Sequence, residues 1–395
     1  MTKKKSKQKL PEKPPTPSHT EQDSSSHGCC TLAHDLFNHL PQYSNISSYS
    51  LSQDFDLNKV HPSIIAVGLK SAQHVLRRGR ERSVAMLDAL RDLVTDLECS
   101  PKEPFLSTLL QALELSERFL SACRPLAPAQ LSIIQYIKLF MSNLRQNDDK
   151  ARGSLARYIE EFKELRVYSA ASVISQGLKE KVRSNDVILT YGASTTVIES
   201  LINIAQSIPI KVIITDSRSN GDGFNAVTSL SAADVPVTFC LLSGLHYVLS
   251  DVTKVVLGVS ALLYNGAAIG MCGTASVATL SHSLNLPVIV LCESYRFMDW
   301  SQLDSITWNE IGDPRSLVIE DVPASASSSR PTANSERSLK GWEVKKNLEL
   351  LNLVYDVTPT EFIDMIVSEM GPTGPSSVPT IIREFKDALV KKETS

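Results

Sequence analysis

Residues 186–216 read "DVILTYGASTTVIESLINIAQSIPIKVIITD", and this stretch decides the fold. "DVILTY" and "IKVIITD" are short apolar runs rich in β-branched residues, the pattern of strands buried on both faces. Between them "TTVIESLINIAQS" repeats its apolar residues at helical spacing. A strand, a helix and a strand in so short a span make a right-handed βαβ unit with parallel strands. The alternation continues in "VTFCLLS", "KVVLGV" and "LPVIVLC", with "ASVATLSHSLN" as a further helix. The expected class is α/β, with a C-terminal Rossmann-like doubly wound parallel sheet over 166–390. Within it "PASASSSRPTANSERS", 323–338, is expected to form a flexible surface loop. "NLVYDVTP" brings the chain back, and "TEFIDMIVSEM", capped by Thr360, is expected to be a helix.

Towards the N-terminus the period changes. "HPSIIAVGLKSAQHVLRRG" opens with a proline in its first turn and closes on Gly79, the usual helix punctuation. "RSVAMLDALRDLVTDLEC", "FLSTLLQALELSERFLSAC" and "PAQLSIIQYIKLFMSNLRQ" follow at helical spacing, and "SLARYIEEFKELRVYSAASVISQGLKEKV" closes the region. Residues 57–165 are therefore expected to be an N-terminal helical bundle. Residues 28–56 are ambiguous, with "HDLFNHLPQY" docking on this domain or on a neighbour. Residues 1–27 are polar and charged, too poor in apolar side chains to offset their ordering entropy, and are expected to be a disordered, solvated tail.

Composition narrows the function classes. The 395 residues carry a net charge of −3, which gives no electrostatic reason to expect direct nucleic acid or a membrane as partner. The lysines at the N-terminus are followed by no apolar core, so no secretory signal is expected. The seven cysteines are scattered, only Cys29 and Cys30 are close, and no metal-ligand spacing occurs, so neither metal nor cofactor is expected and a reducing cytosol fits best.

Ligands of open α/β sheets bind outside the carboxyl ends of the strands. After the first strand, "YGASTTVIES" has neither the dinucleotide fingerprint nor a P-loop, and serves an anion or close packing. After the second, Asp216 and Arg218 of "DSRSNGDGFN" clamp a phosphate or hydroxyl, or pair with each other. After the fourth comes "YNGAAIGMCGTAS", 264–276, where Gly266, Gly270 and Gly273 alternate with small residues. Ser260, Tyr264, Asn265 and Cys272 have no acid or base near them in sequence, and His246 and His282 lie on helices; no catalytic set is legible. In "RRGRER", Arg77, Arg78, Arg80 and Arg82 form either an exposed helix end or a phosphate-binding patch.

"GVSALLYNGAAIGMCGTASVATLSHSLNLPVIVLCESYRF", "VIITDSRSNGDGFN", "CRPLAPAQ" and "NLVYDVTPTEFIDMIVSEMG" together resemble the family that joins sugar-phosphate isomerases to the regulatory subunits of eukaryotic translation initiation factor 2B. The resemblance spans about 57–388. "HPSIIAVGL", "NEIGDP" and "SSVPTIIREF" are most similar to its delta-type members. It places Gly192 where the isomerases have a cysteine, Ser260 where they have an aspartate, and Gly270–Met271 where they have Asn-Lys before the Gly273–Thr274 turn. Arg124 and Arg218 match arginines on the substrate side.

The resemblance thus implies a degenerate ligand pocket with no catalytic residues. It also implies a non-catalytic regulatory subunit of the guanine-nucleotide exchange factor for initiation factor 2. The implied partners are alpha, beta, gamma and epsilon subunits in a decamer, with exchange chemistry on epsilon, and initiation factor 2 with its phosphorylated alpha subunit. The rival reading is a divergent sugar-phosphate isomerase, or a sensor that still binds a sugar phosphate or nucleotide.

Overall fold

A computed structural model describes residues 35–43, 55–98, 104–144, 150–217, 221–318, 339, 341–345 and 347–391. The tail at 1–27, the loop at 323–338, Arg218 and most of 28–56 lie outside the described residues.

Helix α1, Pro62–Ala72, starts with its proline at the first position, and the His61 ring accepts the Ser63 amide at 3.3 Å. It does not run on to Gly79. His74 takes a left-handed φ of 53°, and the amides of Gln73, His74 and Val75 close on the last carbonyls. Gly79 instead opens α2, Gly79–Asp96, where the Glu81 carboxylate accepts the Arg78 amide at 3.4 Å. Helices α3, Phe105–Cys123, and α4, Pro128–Asn143, follow. Their inward residues recur at three and four, such as Leu106, Leu109 and Leu113, and meet Met86, Leu90, Ile133 and Ile137 in one core.

Helix α5, Ala151–Phe162, passes through a π-type turn, Lys163–Ser169, into α6, Ala170–Lys179. The first half feeds Leu155 and Ile159 to the helical core, and the second feeds Ile174 and Leu178 to the sheet. Tyr295, from the sheet region, is fully buried among the bundle residues and meets the Phe162 ring edge-on at 6.1 Å.

The main sheet contains β1 (Val187–Tyr191), β2 (Lys211–Asp216), β3 (Val237–Leu241) and β4 (Lys254–Gly258). Its order is β3-β2-β1-β4, continued by three later strands. Pairing is parallel except at one edge, with Ile188 opposite Val212 and Val255 opposite Val288. Alternate residues serve opposite faces. Ile188 packs with Val197, Leu201 and Ile204 of α7 (Thr195–Ala205) and Leu230 of α8 (Gly223–Ala232). Leu189 packs on the other side with Leu245 of the short α9 (Leu245–Val248) and Val277 of α10 (Thr274–Ser283).

Three features depart from the sequence reading. A second, antiparallel sheet joins β5 (Ala261–Leu262), β6 (Ala268–Met271) and β8 (Tyr355–Thr358). "TEFIDMIVSEM" is not a helix: after a 3-10 turn at Thr360–Phe362 it forms β9, Met365–Ser368, parallel to β7, Val288–Leu291. Ile366 and Val367 are both fully buried, one on each face, which is a demand only a central strand makes. Strand β10, Gly371–Thr373, then turns back antiparallel to β9, and α11, Val378–Lys391, ends the described chain.

Candidate ligand cleft

Strand order reverses between β1 and β4, and the cleft lies at their carboxyl ends. Arg77, Arg78, Arg80 and Arg124 come to it from the helical region, and Gly192, Ser260, Met271 and Thr274 from the sheet region. Arg82, grouped with the exposed arginines in the sequence, is only 1% exposed and lies beneath the rim. Asn265, Gly266, Gly270 and Gly273 are not among the lining residues. The cavity holds about 110 Å³, below the roughly 300–1,000 Å³ of small-molecule pockets.

Gly192 follows β1 with φ 65°, and its amide donates to the Thr215 carbonyl at 2.9 Å. A β-carbon there would meet nothing, but the left-handed backbone would strain it. No thiol is therefore presented at this turn. Ser260 is half-buried, and its amide is tied to the Ile269 carbonyl at 2.7 Å. The Thr274 hydroxyl is spent on the Met271 carbonyl at 2.6 Å. Asp222 is the lone carboxylate among the lining residues.

The glycine-rich stretch has local duties. Tyr264, Asn265 and Gly266 form the tight turn between β5 and β6, with Gly266 at φ 80° and the Asn265 side chain accepting the Ala267 amide at 3.3 Å. Asn-Gly is a strong hairpin signal, and it was available in the sequence. Gly270 gives room to Thr274, whose side chain would lie 2.6 Å from an added β-carbon. Gly273, at φ 114°, passes under the Tyr191 phenol, which an added β-carbon would strike. The amino end of α10 looks like an anion site, yet Asp356 of β8 fills it, accepting the amides of Gly273 at 2.7 Å and Ala275 at 2.9 Å. Burial pushes the Asp356 carboxyl up to about 6, against the pull of those two amides.

The arginines are engaged in the same way. Arg124 is buried, and its Nε donates to Glu310 Oε1 at 2.6 Å while Nη1 donates to the Leu76 carbonyl at 3.3 Å. Arg82 donates to the Pro125 carbonyl at 2.6 Å, and its Nη1 lies 3.8 Å from Glu310 Oε2. Arg80 pairs with Glu199 at 2.7 Å and stacks over the Tyr168 ring at 5.3 Å. Arg296, which sequence reasoning missed, also lines the cleft and pairs with Glu293 at 3.1 Å. Its i, i+3 spacing from Glu293 in "CESYRF" was the available signal. Asp216 caps α8 by accepting the Gly223 amide at 2.6 Å, and burial raises its carboxyl. His246 and His282 lie against Tyr247 and Phe362. Among the described residues no three His, Cys, Asp or Glu side chains are grouped to hold a metal ion, and no helix is long and apolar enough to cross a membrane.

Comparison with known proteins places this architecture. Residues 77–375 match the family described as the "Initiation factor 2 subunit family". The chain is 35% identical to translation initiation factor eIF2B subunit delta of Dictyostelium discoideum over 90% of its own length and 57% of that protein's. It is 32% identical to the subunit of the same name from Schizosaccharomyces pombe, over 89% of this chain and 73% of that one. In shape it resembles a chain of the tetrameric eIF2B beta2-delta2 complex of C. thermophilum, with a TM-score of 0.71, 24% identity, and coverage of 85% and 97% of the two chains. The chain belongs to the initiation factor 2 subunit family, among relatives of the delta type.

Proposed function

We propose that the chain is a non-catalytic regulatory subunit of the guanine-nucleotide exchange factor for initiation factor 2, acting in translation initiation. The observation that carries this reading is the cleft. Gly192 and Ser260 stand where the related isomerases are expected to have their cysteine and aspartate, and Arg124 is spent on Glu310. A proton-abstracting site needs a nucleophile or an acid–base pair, and neither is presented. We take 57–165 as the helical bundle and 166–390 as the Rossmann-like domain of such a subunit. The partners are alpha, beta, gamma and epsilon subunits in a cytosolic decamer, with exchange chemistry on epsilon. Initiation factor 2 is read through its phosphorylated alpha subunit. A phosphoserine brings close to two negative charges, and it regulates only by binding one state of the assembly more tightly than another. Arg77 and Arg78, whose guanidiniums have no carboxylate partner among the described residues, are the candidate contacts on this chain.

The test is native mass spectrometry of the chain recovered from its own cytosol. Recovery with four other subunits supports the reading. Recovery as a small homo-oligomer carrying a sugar phosphate overturns it in favour of a sensor or isomerase.

A further inference from the structure

We propose that Glu310 is a built-in ligand, whose carboxylate occupies the Arg124 guanidinium and so keeps the floor of the cleft, beneath the rim arginines Arg77 and Arg78, from acting as an anion site. Three observations converge on this. The first is the contact: Glu310 is 3% exposed and meets Arg124 at 2.6 Å, with Arg82 on its other oxygen at 3.8 Å. The second is how firmly the carboxylate is presented. Asn309 accepts the amides of Glu310 and Tyr355 at 2.8 and 3.1 Å. The Glu310 carbonyl accepts the Val354 amide at 3.0 Å, and the Gly312 amide donates to Asn352 at 2.8 Å. Glu310 is thus held from both sides, by the backbone pairing of 310–312 with 352–354 and by the Asn309 side chain on Tyr355.

The third observation is charge. One carboxylate serves two buried guanidiniums, and the Arg82 Nε finds no hydrogen-bond partner among the described residues. Removing Glu310 would leave two buried cations uncompensated, and such charges demand a counter-ion. A fixed internal carboxylate supplies it at an effective concentration that a dissolved anion cannot match. The Arg124 floor of the cleft is thereby insulated from phosphate metabolites. This deepens the reading of the cleft as a vacated site, but it concerns this chain alone. A failure to recover the five-subunit assembly would leave it standing.

The experiment compares the full-length wild type, Glu310→Gln, and Glu310→Gln with Arg124→Leu, with inorganic phosphate as probe and chloride of equal ionic strength as control. Thermal unfolding and titration calorimetry are the readouts. The wild type is expected to show no saturable phosphate response. Glu310→Gln should melt lower in chloride and gain about 2 °C at a phosphate concentration tenfold above its dissociation constant. The gain should vanish with the added Arg124→Leu. A side chain that merely fills space would not exchange its effect for that of a dissolved anion. If Glu310→Gln does not fold, Glu310→Asp keeps the charge but withdraws it by one methylene, and should show a smaller phosphate response. An Arg124-dependent phosphate response in the wild type overturns the proposal. So does a flat response in a folded Glu310 variant.

Discussion

The Asp356 carboxylate closes the amino end of α10 by accepting the Gly273 amide at 2.7 Å, while its other oxygen is buried without a hydrogen-bond partner among the described residues. Burial dominates, so the folded protein holds this carboxyl up to about 6 against an ordinary 3.8. The protonated form is the one the fold prefers. Its contribution is fully present below about pH 4 and is lost as pH rises to about 6, a change of roughly 3 kcal/mol. In Asp356→Asn the amide oxygen accepts the same two amides without a charge. Urea unfolding of both proteins across this range should show the variant gaining on the wild type as pH rises. A constant difference between the two would refute the assignment.

Two glycines with left-handed backbone should respond differently to alanine. Gly192→Ala meets open space and bears only the backbone strain, about 1–2 kcal/mol. Gly273→Ala adds a clash with the Tyr191 phenol and should cost several kcal/mol, on the order of an overpacked core. Denaturant midpoints at constant slope separate the two. Equal losses would mean that the phenol moves aside.

Tyr295 is buried in the bundle core although it belongs to the segment after β7. Tyr295→Ala should cost about 3–5 kcal/mol, as for other large aromatic truncations. Because its ring meets Phe162, amide exchange should quicken in α4 and α5 as well as near residue 295. Exchange confined to the sheet region would show that the two cores are energetically separate.

Arg80 joins α2 to α7 through Glu199, whose side chain is 49% exposed. A double-mutant cycle with Arg80→Ala and Glu199→Ala should give a coupling of no more than about 1 kcal/mol, falling with salt. A larger, salt-independent value would mean that the pair is shielded by a neighbour.

Much of the fold was legible in the sequence. The four strands β1, β2, β4 and β7 and the helices α3 and α4 carry their periods openly. Strand β9 was hidden because Phe362, Ile363, Ile366 and Val367 recur at helical spacing, and only burial on both faces tells the two apart. The cleft was half legible. Local pattern brought Gly192, Ser260 and Thr274 to strand ends. But what the arginines do depends on Glu310, 186 residues from Arg124 along the chain, and on Arg82 being buried rather than exposed. Ion pairs across such distances leave no local trace.

The wide turn at Lys163–Ser169 lets one continuous helical stretch serve two cores that do not share an azimuth. An ordinary α-helix advances about 100° per residue, so the number of residues in that turn sets the phase between Ile159 and Ile174. Deleting a single residue there would rotate the Ile174–Leu178 face away from the sheet by about 100° while Ile174 and Leu178 themselves stay the same. In this region length is constrained more tightly than composition.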